Sequence, residues 1–215
     1  MESGTDASVW NWMVTGAPES RAMAEFLDGS IGRVLAEVDW STTTVIFCGD
    51  NGSVAGTAPP GSGLPHAGWK GSVYEGGTRT PLLIAGAAVG WRGTSYELVN
   101  SVDLHATMHS LTIGTERSVG DGISLLGHLM HGRLHARSIA FSEWFEPNGT
   151  PTPATKKESA RDGRYALVRG ESSADEIYDL LTDPFQRSPL NPRMLHPHAA
   201  VAYANLLSFL NATGF

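Results

Sequence analysis

The sequence predicts an α/β fold that passes, near residue 137, into a small antiparallel β lobe closed by a helix. Three observations lead there. An amphipathic stretch precedes two apolar runs that show no polar alternation, and such runs fit strands buried on both faces, as in a parallel sheet. A long glycine-rich segment separates those two runs. The last third of the chain instead carries an Asp-Gly hairpin signal, further short strand-like runs and one more amphipathic stretch.

Each element has a local justification. Ala17 to Trp40 reads as a helix, because Pro18 suits a first helical position and Met23, Phe26, Leu27, Ile31, Val34, Leu35 and Val38 recur at three- and four-residue spacing. Its apolar stripe is expected to be buried. Thr43 to Cys48 and Pro81 to Ala85 are the two strands, rich in β-branched and large apolar residues. Ser101 with Asp103 can cap a helix carrying Leu104, Met108 and Leu111, which Gly114 stops. Ser138 to Phe141 is a strand, and Asp162-Gly163 joins two strand-like arms in a hairpin. Glu176 to Leu181 is a further antiparallel strand. Pro147 to Lys157 is a polar connector. Pro197 to Leu210 closes the lobe with Val201, Leu206, Leu207 and Leu210 towards the core. The domain boundary follows: residues 1–136 form the α/β part and 137–215 the small lobe.

Charge and composition exclude several classes. Fifteen Lys plus Arg against 22 Asp plus Glu give 15 − 22 = −7 over 215 residues, with no basic block, so nucleic acid is not an expected partner. The longest apolar stretch, Pro81 to Trp91, is too short for a transmembrane segment. Cys48 is the only cysteine, which rules out an internal disulfide and a cysteine-built zinc site, and at a strand end it reads as a small buried apolar residue. Met1 to Ala7 has neither a basic nor an apolar signal region, so no signal peptide is visible.

Glycine is unevenly distributed. Much of it falls between residues 49 and 93, in a loop leaving the carboxyl end of a strand, where open α/β sheets place ligands. Asp50-Asn51 follows the first strand directly. Adjacent carboxylate and carboxamide oxygens can serve Ca²⁺ or Mg²⁺, which prefer oxygen, and the same pair with Gly52 also makes an ordinary Asx turn. Lys70, between Trp69 and Gly71, offers a compact positive charge for a sulfate or phosphate group, or a solvated loop lysine. His66, in the same loop, is a candidate substrate contact. Glu75 and Arg79 can pair across a turn and hold the loop. The spacings of His105 with His109, and of His128, His131 and His135, permit a metal face, but structural roles fit these better.

Two longer runs, Phe47-Cys48-Gly49-Asp50-Asn51-Gly52 and Lys70-Gly71-Ser72-Val73-Tyr74-Glu75-Gly76-Gly77-Thr78-Arg79-Thr80-Pro81, closely resemble the second half of the sulfatases, members of the alkaline-phosphatase-like superfamily. The resemblance continues through Asp103 to Thr107, Asp121 to Leu126, Arg161 to Leu167 and Glu176 to Leu180, ending at Asp183-Pro184. It implies an alkaline-phosphatase-like sheet-and-helix domain before the small lobe. It also implies that Asp50 and Asn51 bind a divalent cation, usually Ca²⁺ with Mg²⁺ as the alternative, and that Lys70 is catalytic, gripping the sulfate being cleaved. Sulfated small molecules or sulfated glycans are the implied partners, and an exported or lysosome-like setting is the implied location.

The family's nucleophile is a formylglycine made in a Cys/Ser-x-Pro/Ala-x-Arg motif, and no such run occurs in the 215 residues. The expectation is therefore a sulfuric ester hydrolase by family, represented by its C-terminal half, with little or no turnover as an isolated chain. A missing N-terminal half or a partner chain would supply the nucleophile. The alternatives are a non-catalytic fragment or partner-dependent binding chain, betrayed by uncovered apolar surface, and a phosphoester or phosphonate-ester hydrolase of the same superfamily.

Overall fold

The computed structural model describes residues 17–54, 68–147, 155–170 and 173–213. Helix α1 spans Ala17–Ala36. It ends four residues before Trp40, where Asp39 makes its own turn: its carboxylate accepts the Ser41 N–H at 2.9 Å and its carbonyl the Thr43 N–H at 2.9 Å. Short polar side chains compete with helical bonding in this way. The expected burial of the apolar stripe holds only in part: Ile31, Leu35 and Val38 are half-buried, and the rest is not. Phe26 is 75% exposed and Val34 66%, with Met23 and Leu27 also exposed. Periodicity shows which residues share a face, but not how much of that face is covered.

Strand β1 (Thr44–Cys48) pairs with β2 (Leu82–Gly86) in a two-stranded sheet. The pairing is antiparallel, with Thr44 opposite Gly86 and Cys48 opposite Leu82, so the parallel arrangement expected from the unbroken apolar runs does not occur between these strands. The intervening chain returns at the same end of the sheet, which an antiparallel pair allows without a crossover. Leu83 and Phe47 are exposed, and so is Cys48, contrary to its expected burial. One turn of helix, α2 (Glu75–Thr78), lies between the two strands.

Helix α3 (Ser101–Ile113) begins with a capping box one residue earlier than expected. Asn100 is the N-cap, and Asp103 at the third helical position accepts the Asn100 N–H at 2.8 Å. Gly114 ends the helix in the left-handed region at φ 70°, as its position in the sequence suggested. Asp103 is fully buried. Arg137 donates to both its oxygens from Nε and Nη2, and the Ile123 N–H donates to Oδ1 at 2.8 Å. Burial alone would raise this carboxyl's pKa, but the His135 ring nitrogen 3.5 Å away, the Arg137 guanidinium and two backbone amides hold it well below the ordinary range. A short helix, α4 (Leu126–His131), follows.

The last part of the chain is a four-stranded antiparallel sheet in the order β3 (Ala140–Glu146), β4 (Thr155–Arg161), β5 (Tyr165–Gly170) and β6 (Ser173–Asp179). Helix α5 (Pro197–Ala212) packs on one face. The hairpin signal held: the Asp162 carboxylate accepts the N–H groups of Arg164 at 2.7 Å and Tyr165 at 2.6 Å, turning β4 into β5. The polar connector is shorter than expected, since β4 already begins at Thr155. Strand alternation sends Tyr165 and Leu167 towards Leu206 and Leu210 of α5, while Val168 packs on the opposite face. Val201, expected in this core, is 63% exposed. Among the described residues no helix is long and apolar enough to cross a membrane.

Candidate functional site

The site begins where β1 ends. The Gly49 N–H donates to the Pro81 carbonyl at 3.1 Å, carrying the pairing with the returning chain one residue past Cys48. Asp50 then stands exposed and Asn51 half-buried. Gly52 turns the chain against α2, where its N–H donates to the Gly77 carbonyl at 2.8 Å. A Cβ on Gly52 would collide with the Gly76 carbonyl, so glycine is needed here for close backbone approach. One residue further, the Ser53 carbonyl accepts the Lys70 N–H at 2.9 Å.

Two backbone hydrogen bonds thus fasten the Asp50–Asn51 turn to the segment carrying Lys70, bringing together two stretches that stand apart in the sequence. Lys70 is exposed, and its main chain sits two residues along from Asn51. Asp50, Asn51, Gly71 and Ser72 line one broad groove of about 1710 Å³, which extends towards Arg92 and Tyr96. His66, the candidate substrate contact, lies outside the described residues.

The Lys70 segment is itself held from the far side. Val73 is 1% exposed and packs on Val168 and Tyr178, against the face of the four-stranded sheet opposite α5. Burying such a side chain contributes roughly 1.5–3 kcal/mol. The Tyr74 hydroxyl donates to Glu176 at 2.8 Å, and the Tyr178 hydroxyl donates to the same carboxylate oxygen at 2.5 Å. Burial, and then the Glu176 carboxylate, push the Tyr74 phenol up to about 12 and raise Tyr178 as well, so both stay protonated as donors.

Glu75 makes the expected pair and a second, closer one. Arg79 pairs with it at 4.0 Å from a largely exposed position, and Arg161 at the end of β4 donates to the same Glu75 Oε2 at 2.6 Å. The Glu75 N–H also donates to Gln186 Oε1 at 2.7 Å. Sequence reasoning missed Arg161, Glu176 and Gln186 as supports of this loop. The only available signal was the recurrence of Arg161 and Glu176 within segments that carried the family resemblance.

Asp50 and Asn51 have the donor chemistry for a divalent cation: hard oxygens, one charged and one neutral. They fit as part of a ligand set, because Ca²⁺ takes six to eight oxygens. Among the described residues there is no cluster of three or more His, Cys, Asp and Glu able to hold a metal ion. The histidines are placed elsewhere. His128 Nδ1 lies 2.7 Å from the Arg133 carbonyl, and His135 is buried with Nε2 3.5 Å from Asp103. His105 and His109 are exposed on α3.

Residues 19–115, which include Asp50, Asn51 and Lys70, match the sulfatase family model. A choline-sulfatase of Rhizobium meliloti (strain 1021) is 25% identical over 182 residues, covering 80% of this chain and 33% of the relative. The phosphonate monoester hydrolase SpPMH from Silicibacter pomeroyi superposes with a TM-score of 0.64 at 24% identity, over 86% of this chain and 38% of that one. BT4656, solved in complex with its substrate D-glucosamine-2-N,6-O-disulfate, superposes with a TM-score of 0.62 at 22% identity, over 86% and 37% of the two chains. The fold is thus the mixed α/β fold of the alkaline-phosphatase-like sulfatases, and the sequence matches support the sulfatase family for this chain. The chain spans a quarter to a third of the length of the curated relatives it matches.

Proposed function

We propose that this chain carries the cation- and sulfate-binding part of a sulfatase-family hydrolase acting on a sulfate ester. One observation supports this above the others: the Gly52–Gly77 and Lys70–Ser53 backbone bonds bring the Asp50–Asn51 turn and the Lys70 segment side by side at a groove. In this reading Asp50 and Asn51 hold a Ca²⁺ ion, with Mg²⁺ as the alternative. When bound, that ion supplies positive charge beside an anionic substrate. Asn51 contributes an oxygen without adding negative charge, which suits a site that takes an anion. The Lys70 ammonium pairs with a sulfuryl oxygen, orients the ester and stabilises charge that builds on the group in transfer. His66 is assigned a supporting contact to the substrate.

Bond cleavage needs a nucleophile, and none of the 215 residues lies in a Cys/Ser-x-Pro/Ala-x-Arg run. We therefore assign this chain binding without appreciable turnover on its own, the covalent step belonging to residues it does not contain. A sulfated small molecule or glycan is the proposed ligand class, in line with the disulfated glucosamine bound by the neighbouring structure. A phosphonate ester is the second candidate, since a phosphonate monoester hydrolase superposes equally well.

Competition binding with calcium present tests the proposal. 4-Nitrophenyl sulfate and 4-nitrophenyl phenylphosphonate are each titrated into the wild-type chain and into Lys70→Ala. The proposal expects the sulfate ester to bind more tightly, and its binding to weaken about tenfold or more in the variant. A preference for the phosphonate favours the second candidate, and binding indifferent to Lys70→Ala removes both.

A further inference from the structure

We infer that Arg161 is a positioning residue for the cation and sulfate site, acting through Glu75 and seated in the small β lobe rather than beside the site. The inference rests on the proposed roles of Asp50, Asn51 and Lys70.

The connection is continuous. Arg161 Nη1 donates to Glu75 Oε2 at 2.6 Å, and Glu75 is only 5% exposed. Glu75 opens α2, whose Gly77 carbonyl accepts the Gly52 N–H next to Asn51. On the other side of α2, the Ser72 N–H donates to the Trp69 carbonyl at 2.9 Å, closing the turn that presents Lys70. A Cβ on Gly77 would collide with the Ser72 carbonyl, so the α2 turn and the Lys70 turn touch backbone to backbone. Fixing Glu75 therefore fixes both halves of the site.

The lobe reaches this loop by more than one route. Gln186 accepts the Glu75 N–H, and Gln186 is itself buried at a left-handed φ of 49°, a conformation unusual for a residue with a side chain. Such backbone persists where the surroundings hold it, and it gathers at functional sites. Arg161 pairs with a carboxylate that is almost wholly out of water, where a charge-assisted bond is strong and the loss of one partner is costly. These bonds, with Tyr74 to Glu176 and Val73 on Val168, dock the loop on the sheet face that α5 leaves free. The small lobe is in this view the rigid support against which the site is set, consistent with the requirement that binding groups be held by locked neighbours.

The test uses the full 215-residue chain and the variants Arg161→Gln, Arg161→Lys and Gln186→Ala, with amide hydrogen exchange and calcium affinity as readouts. Arg161→Gln should speed exchange at the Gly52 and Lys70 amides by about tenfold while the Leu167 and Ile177 amides in the lobe's core keep their protection. It should weaken calcium binding several-fold, and Arg161→Lys should restore most of both, since it returns a charge to Glu75. Gln186→Ala should reproduce the exchange change more weakly. Unchanged exchange at Gly52 and Lys70 overturns the inference, as does a uniform rise that includes Leu167 and Ile177. If the wild-type chain and Asp50→Ala bind calcium equally, the cation assignment fails, while the exchange pattern still decides whether Arg161 sets the loop.

Discussion

Gly52 and Gly77 meet main chain to main chain, the N–H of the first donating to the carbonyl of the second at 2.8 Å. No side chain intervenes, and a methyl group on Gly52 would overlap the Gly76 carbonyl. Gly52→Ala should therefore destabilise by about 1–3 kcal/mol through overpacking and should also weaken calcium binding, because the turn it displaces holds Asn51. Urea denaturation with parallel calcorimetric titration checks this. A stable variant with unchanged calcium affinity would show that the close approach has no bearing on the site.

Asp103 offers a pH-dependent prediction. Its carboxyl is held below the ordinary value of 3.8 in the folded chain, so the unfolded state binds its proton more readily. The stabilisation is present in full above that ordinary value and is lost as pH falls beneath it. Asp103→Asn leaves Arg137 facing a buried neutral group and should cost about 3–5 kcal/mol at neutral pH. Urea midpoints measured from pH 6 down to about pH 2.5 should fall steeply for the wild type and more shallowly for the variant. Parallel slopes would remove Asp103 as a source of acid sensitivity.

The two apolar positions of α5 that sequence reasoning treated alike are predicted to behave differently. Leu206 is fully buried against the sheet, so Leu206→Ala should cost about 2–5 kcal/mol. Val201 is 63% exposed, and Val201→Ala should stay within about 0.5 kcal/mol. Thermal and urea unfolding of the pair measure the contrast, and equal losses would place Val201 in a contact that the fold does not show.

Exposed apolar side chains on α1 and on the two-stranded sheet give a further prediction. Phe26 and Leu83 are 75% and 59% exposed, with Phe47 and Val34 also uncovered. Large apolar side chains exposed in this number bind hydrophobic dyes and promote association. The purified chain should enhance the fluorescence of an anilinonaphthalene dye, and Phe26→Ser with Leu83→Ser should reduce that signal. No enhancement in the wild type would show that this surface is covered in solution.

What the sequence disclosed, and what it withheld, follows from the range of the interactions. Asp162-Gly163 announced its hairpin, Gly114 its helix end, and Thr44 to Cys48 its strand, because each depends on neighbours a few residues away. The grouping of Asp50, Asn51 and Lys70 came from family resemblance, and the backbone bonds around Gly52 and Ser53 give that grouping a physical basis. Arg161 with Glu75, Glu176 with Tyr74 and Gln186 with Glu75 are separated by 86, 102 and 111 residues. No local pattern encodes such pairings, whereas the Arg79–Glu75 pair, four residues apart, was legible from spacing alone. Apolar periodicity likewise showed which residues of α1 share a face, but it carries no information on whether anything packs there. The direction of β1 against β2 was misjudged for a related reason: an unbroken apolar run marks a strand without fixing its partner's orientation.

Calcium titration of the wild-type chain beside Asp50→Ala, followed by calorimetry, tests the central claim most directly. The account predicts measurable binding by the wild type, weak because two protein ligands are a partial set, and its loss in Asp50→Ala with the fold intact by circular dichroism. Equal calcium binding by the two proteins, or no calcium binding by the wild type, would contradict the account.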